Sequence, residues 1–251
     1  MSLILAAAVA AAAQPPICTD RPAKANAVCT VPAGKVQIES SLAGWSLTKV
    51  GGARTTVLTM ASTTAKLGLT SSSDVQVSWT PFTRVRVGGG GSAAGIGDVT
   101  VRYKRRLTVD EASTQVAVIP FVKVPTAARR LGNDKVEGGL AVPVSFALTA
   151  PITMTLGPEA DLLADADGSG RHLALVNLVN VAGSIAPRLT LAGEFWSSFN
   201  FDPAGTVRQA SADAAVGYVF SNNVQIDAGA NIGLTRDTAD IELYAGFSIR
   251  L

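Results

Sequence analysis

The chain closes on Asp240-Ile241-Glu242-Leu243-Tyr244-Ala245-Gly246-Phe247-Ser248-Ile249-Arg250-Leu251. Ile241, Leu243, Ala245, Phe247, Ile249 and Leu251 fall on one parity, and Asp240, Glu242, Tyr244, Gly246, Ser248 and Arg250 on the other. Side chains of a strand alternate with period two, so this stretch has one apolar and one polar surface. Such a strand exposes unpaired backbone groups at a sheet edge. Pairing it with the first strand of the same chain closes a barrel and removes the edge. The pattern recurs upstream: Val224, Ile226, Ala228, Ala230 and Ile232 alternate with Gln225, Asp227, Gly229, Asn231 and Gly233, and Leu140, Val142, Val144 and Phe146 with Gly139, Ala141, Pro143 and Ser145.

Candidate strands run over 35–47, 55–69, 74–86, 97–107, 114–124, 137–148, 151–162, 171–184, 188–199, 207–219, 223–234 and 239–251. That is about twelve, the even number of a single-chain bacterial barrel. Short links (70–73, 108–113, 149–150, 185–187, 220–222) alternate with longer ones rich in glycine or charge (88–96, 125–136, 164–170, 200–206). This is the rhythm of an up-and-down barrel with tight periplasmic turns, whereas a Greek-key sandwich mixes long crossovers into the order. The expected fold is all-β: an antiparallel up-and-down transmembrane β-barrel. Pro120 and Pro143 remove ladder donors, and bulges are expected there.

Hydrophobic residues make up 47 % and charged residues 16 %, with mean hydropathy +0.31. That is apolar for a soluble domain, yet no apolar run long enough for a membrane helix follows the first positions. Met1 to Ala13 reads as a signal peptide, with Ala11-Ala12-Ala13 as an A-x-A type cleavage site. The expected division is signal peptide 1–13, periplasmic amino-terminal segment 14–34 and outer-membrane barrel 35–251. Cys18 and Cys29 are the only cysteines. In an oxidising periplasm they can close one small loop, while two cysteines with no nearby histidine make a poor zinc shell. Pro16-Ile17-Cys18 does not resemble a lipoprotein cleavage box. Net charge is +2 and the longest basic run is Lys104-Arg105-Arg106, which argues against a nucleic-acid partner.

On the parity assigned to the lumen lie Arg84, Arg86, Arg102, Lys104, Arg106 and Lys123. Its acids are Glu39, Glu159, Asp161, Glu194, Asp213, Asp227 and Glu242, most of them from the far side of the barrel. Two readings are compatible: ion pairs that brace the barrel, because an unpaired buried charge is costly, or a basic stripe that guides an anionic or polar solute. Arg105 falls on the outward parity. His172, the only histidine, points inward near the outer rim without the serine partner a lipase needs. Asp165-Ala166-Asp167-Gly168-Ser169-Gly170 looks like half a calcium loop, but Val176 stands where the bidentate acid belongs. Gly88-Gly89-Gly90-Gly91 lacks the lysine of a phosphate loop. No catalytic residue, metal or cofactor is expected.

Thr19-Asp20-Arg21-Pro22, followed by Val31-Pro32-Ala33-Gly34-Lys35-Val36-Gln37-Ile38-Glu39, resembles the amino-terminal signature of the outer-membrane transporters called phenol meta-pathway degradation proteins. Gly97-Asp98-Val99-Thr100-Val101-Arg102-Tyr103-Lys104 and Lys123-Val124-Pro125-Thr126-Ala127 are similar to two further segments of that family. The resemblance implies an outer-membrane barrel linked to the handling of hydrophobic or aromatic compounds. Expected partners are outer-membrane lipid and lipopolysaccharide, a small-molecule solute and the barrel assembly machinery. A non-conducting structural or assembly barrel is the rival reading.

Overall fold

Alternation of apolar and polar residues, with turn-forming sequences between, makes every long segment a strand. The computed structural model describes residues 16–251, so the expected signal peptide lies outside the described residues. The strands are β1 (Val36–Val50), β2 (Ala53–Thr70), β3 (Ser73–Trp79 continued by Phe82–Val87), β4 (Ser92–Gly95 continued by Val99–Arg106), β5 (Thr114–Val124) and β6 (Glu137–Ala141 continued by Val144–Thr149). They continue as β7 (Ile152–Leu156 continued by Glu159–Ala164), β8 (Arg171–Ala186), β9 (Leu189–Asn200), β10 (Val207–Ser221), β11 (Val224–Gly233) and β12 (Ile241–Arg250). Each pairs antiparallel with its sequence neighbours, and β12 pairs with β1 from Gln37↔Arg250 to Leu47↔Ile241. The sheet is a closed twelve-strand barrel.

The two ends differ. At one, the turn end, lie the start of β1, the end of β12 and two-residue turns such as Ser71-Ser72, Pro187-Arg188 and Asn222-Asn223. At the other, the loop end, lie the connections 125–136, 165–170, 201–206 and 234–240. One loop-end connection is tight: Gly51 (φ 58) and Gly52 (φ 81) join β1 to β2. A two-residue hairpin that matches strand twist needs positive φ at both positions, which glycine supplies without strain.

The prolines interrupt strands but leave the register intact. In β6 the pairs Ile119↔Ala141 and Val116↔Val144 lie on one continuous register across Val142-Pro143. Pro120 falls where the β4–β5 ladder passes from Arg102↔Phe121 to Arg105↔Val118, again without a shift. The expected bulges are therefore not present at these sites; each proline omits a donor locally and the strands continue.

A face change does occur elsewhere. The β1–β12 register slips between Ser41 and Ala43, and opposite that slip in β2 stands Ala61, with φ 54. One extra residue reverses which face each following side chain occupies. Below the slip Lys66, Gln76 and Arg102 form one inward row; above it Leu243, Trp45, Leu58 and Arg84 form one outward row.

The outward rows are apolar and exposed, as in Leu162, Leu173, Leu191, Phe195, Ile226 and Leu243. Their extent far exceeds the apolar patch a soluble monomer tolerates. Inward, the buried residues are mostly polar, including Gln37, Glu39, Lys66, Gln76, Lys104, Asn180 and Asp227.

Candidate functional site: the lumen and its amino-terminal segment

Polar groups crowd the lumen because residues 16–35 lie inside it. The described part of the segment expected to lie in the periplasm, 16–34, is instead folded among the inward side chains. Its charges carry the reason. Asp20 meets Lys66 at 2.5 Å and Lys104 at 2.8 Å, and its backbone N–H donates to Glu39 at 3.2 Å. Arg21 forms a fork on Asp227, with Nη2 at 2.6 Å and Nε at 3.2 Å. Lys24 reaches Asp213 at 2.8 Å and stands over the Trp196 ring at 4.9 Å. The backbone N–H groups of Lys24 and Ala25 donate to Glu194 at 3.1 and 2.9 Å.

Burial by itself would raise the Asp20 carboxyl, but the Lys104 and Lys66 ammonium groups outweigh it and hold Asp20 below the usual carboxylate range. A disulfide joins Cys18 to Cys29, with Cα atoms 6.4 Å apart, and loops the segment back toward β1. The return is close-fitting. A Cβ on Gly68 would stand 2.0 Å from the Pro32 carbonyl oxygen, so no other residue leaves room for the chain to pass.

The basic residues singled out from the sequence divide into three groups. Lys104, 1 % exposed, donates to Asp20 and to the Ala27 carbonyl, both at 2.8 Å; Arg102 lies against Asn26 at 3.3 Å and over the Phe121 ring at 5.5 Å. Arg106 stays at the turn end, where it pairs with Asp110 and donates to the Ser71 carbonyl. Lys123 sits at the loop end between Asp98 (3.2 Å) and Glu137 (2.7 Å). Arg84 and Arg86 differ from the expectation: the face change in β1 and β2 puts them in the outward row with Leu58 and Thr56. Arg105 is exposed on the outer face.

Among the acids, Glu194, Asp213 and Asp227 receive the segment as described. Glu242 accepts from Asn231 at 2.9 Å. Glu159 and Asp161 share the inner face of β7 facing Ala141 and Gly139, and Asp161 Oδ1 is buried without a hydrogen-bond partner. The sequence reading missed Lys66 together with Asp20, Arg21 and Lys24. Lys66 lay on the inward parity of β2, and the other three lay in the very motif that carried the family resemblance.

The segment does not fill the lumen. A cavity of about 380 Å³ lies between it and the inner faces of β1 to β4, lined by Ser41, Ser62, Thr64, Gln76, Ser78 and Arg102 among others. A second, of about 310 Å³, lies between it and β8 to β11, lined by Asn180, Ala182, Thr190, Ala192, Ala215 and Gly217.

A closed barrel with an apolar belt and a part-filled polar lumen has the architecture of a bacterial outer-membrane channel. The chain belongs to the family described as "Putative MetA-pathway of phenol degradation", which matches residues 19–251. No curated protein matches the sequence. Among solved structures it is similar to the COG4313 outer membrane channel from Pseudomonas putida F1, with 15 % identity, TM-score 0.74, and 89 % of this chain and 98 % of that one covered. It also resembles the NanC porin (11 % identity, TM-score 0.57, 86 % of this chain and 100 % of that one). A third relative in fold is the CymD monoaromatic hydrocarbon channel (10 % identity, TM-score 0.50, 88 % of each chain). These likenesses show a shared fold.

Proposed function

We propose that the protein resides in the bacterial outer membrane and lets small molecules, aromatic or otherwise hydrophobic ones among them, cross passively. The observation that carries this reading is the pair of cavities beside the amino-terminal segment. Each is within the size range that holds a small ligand. The apolar outer rows support the location, since they need lipid around them. The family's link to phenol degradation, and the fold shared with a monoaromatic hydrocarbon channel, support the substrate class. In that setting the barrel assembly machinery inserts the chain, and lipid and lipopolysaccharide surround it. The lumen's ionisable groups act as docking and lining groups, not as catalysts.

The ion pairs that hold Asp20, Arg21 and Lys24 favour a second reading, a structural or assembly barrel sealed by its own segment. Liposomes reconstituted with the protein separate the two. Proteoliposomes should swell faster than protein-free liposomes in isotonic solutions of small sugars, which do not cross lipid unaided, and bilayer recordings should show small unitary currents. A barrel that passes neither solute nor current would overturn the channel reading in favour of the sealed one.

A further inference from the structure

We infer that Asp165, His172 and Asp202 form a zinc(II) site that joins two connections at the loop end. The inference stands apart from the channel reading. His172 is the second residue of β8, Asp165 lies in the connection after β7, and Asp202 lies in the connection after β9. His172 Nδ1 is 2.8 Å from Asp165 Oδ1 and 3.7 Å from Asp202 Oδ2, and the three ligand atoms all lie within 4.8 Å of one another. Ligand atoms bound to tetrahedral zinc at 2.0–2.2 Å stand about 3.3 Å apart, so only small movements separate this arrangement from a coordination shell.

The charge balance points the same way. The two carboxylate side chains are only 13 % and 12 % exposed, and among the described residues no lysine or arginine pairs with either. His172 is 8 % exposed and turns its Nδ1 toward both carboxylates, so a metal cation held between the three side chains would offset their charge.

The carboxylates are also held in place. Asp202 accepts the Ala204 N–H at Oδ1 (2.7 Å) and the Ala166 N–H at Oδ2 (2.8 Å). Asp165 is fixed through its backbone by Gly168 and Gly170. Such outer contacts orient ligands before the metal arrives. One imidazole with two carboxylates suits zinc or a related borderline ion; calcium prefers six to eight oxygens. The motif that lacks its twelfth-position acid in sequence thus finds a carboxylate in Asp202, from another connection. Asp167 takes no part, because its Oδ1 accepts the backbone and hydroxyl of Ser169.

The test uses the full chain, folded in detergent, purified without a histidine tag and stripped with a chelator. Isothermal titration with zinc chloride at neutral pH should show one ion per chain. His172→Gln and Asp202→Asn should each weaken binding by at least about tenfold, the loss that even an outer-shell change can cause. Heat-modifiable migration on gels verifies that both variants still fold. Because His172 is the only histidine, no other imidazole contributes. Absence of zinc binding to the folded wild type would overturn the proposal. So would binding unaffected by both substitutions, or calcium binding preferred over zinc.

Discussion

Lys104 is the place to ask whether the amino-terminal segment is held by the barrel or merely rests in it. Its ammonium group is buried between the Asp20 carboxylate and the Ala27 carbonyl, each 2.8 Å away. Lys104→Met keeps the length of the side chain and removes both bonds. Breaking a buried ion pair costs about 3–5 kcal/mol. Lys66 remains on Asp20, so the lower figure, about 3 kcal/mol, applies. The barrel's backbone ladder does not depend on Asp20, so the loss falls on docking of the segment. A change of about 3 kcal/mol moves the docked-to-free ratio by roughly a hundredfold.

Trypsin reads this directly, since the bond after Lys24 is protected only while the segment is docked. Cleavage there should accelerate by up to the same factor when opening and closing are fast. Conductance in planar bilayers should rise, and Asp20→Asn added to Lys104→Met should recover part of the loss. The pH dependence follows from the same pair. The folded Asp20 value is depressed, so its contribution is complete above the ordinary carboxylate value of about 3.9 and is lost as pH falls through the folded value. Protection in the wild type should persist at neutral pH and weaken only in strong acid. Wild-type cleavage rate and wild-type current in Lys104→Met would together refute the reasoning.

Cys18→Ser opens a loop with a sequence separation of 11, and should loosen the segment by about 2–3 kcal/mol while the barrel keeps its heat-modifiable migration; unchanged trypsin protection would count against it. Arg102→Gln should shift the ion selectivity of any current toward cations, whereas Arg84→Gln should leave it unchanged, because only Arg102 faces the lumen. Reversal potentials in a salt gradient measure both.

The barrel was legible in the sequence because it rests on local alternation. Period two in β11 and β12 set the inward row of Asp227 and Glu242, and the linker lengths set the up-and-down order. Strand boundaries extended by a few residues where glycine turns allowed it, as at Gly51-Gly52. What parity could not show was the irregular step at Ser41–Ala43 and Ala61. No proline or glycine marks Leu42 or Ala61, and a single added residue carries Arg84 and Arg86 to the other face. The prolines that did look disruptive changed no register, because losing a donor does not insert a residue.

The position of the amino-terminal segment was hidden for a different reason: it is set by charges far apart in the chain. The inward bases Lys66, Lys104 and Arg102 lie on β2 and β4, and the inward acids Glu194, Asp213 and Asp227 on β9, β10 and β11. In a barrel of this width the two sets stand on opposite walls, so direct pairs between them would have to span the lumen. A chain crossing between the walls resolves this if it presents an acid to one side and bases to the other. Asp20 does the first, and Arg21 and Lys24 do the second. Asp20 and Arg21, neighbours in the chain, thus face the two walls at once. Exchanging the two residues, Asp20→Arg with Arg21→Asp, keeps the composition and sets like charges together on both sides. That variant should release the segment more completely than Lys104→Met does, although it removes no charge from the molecule.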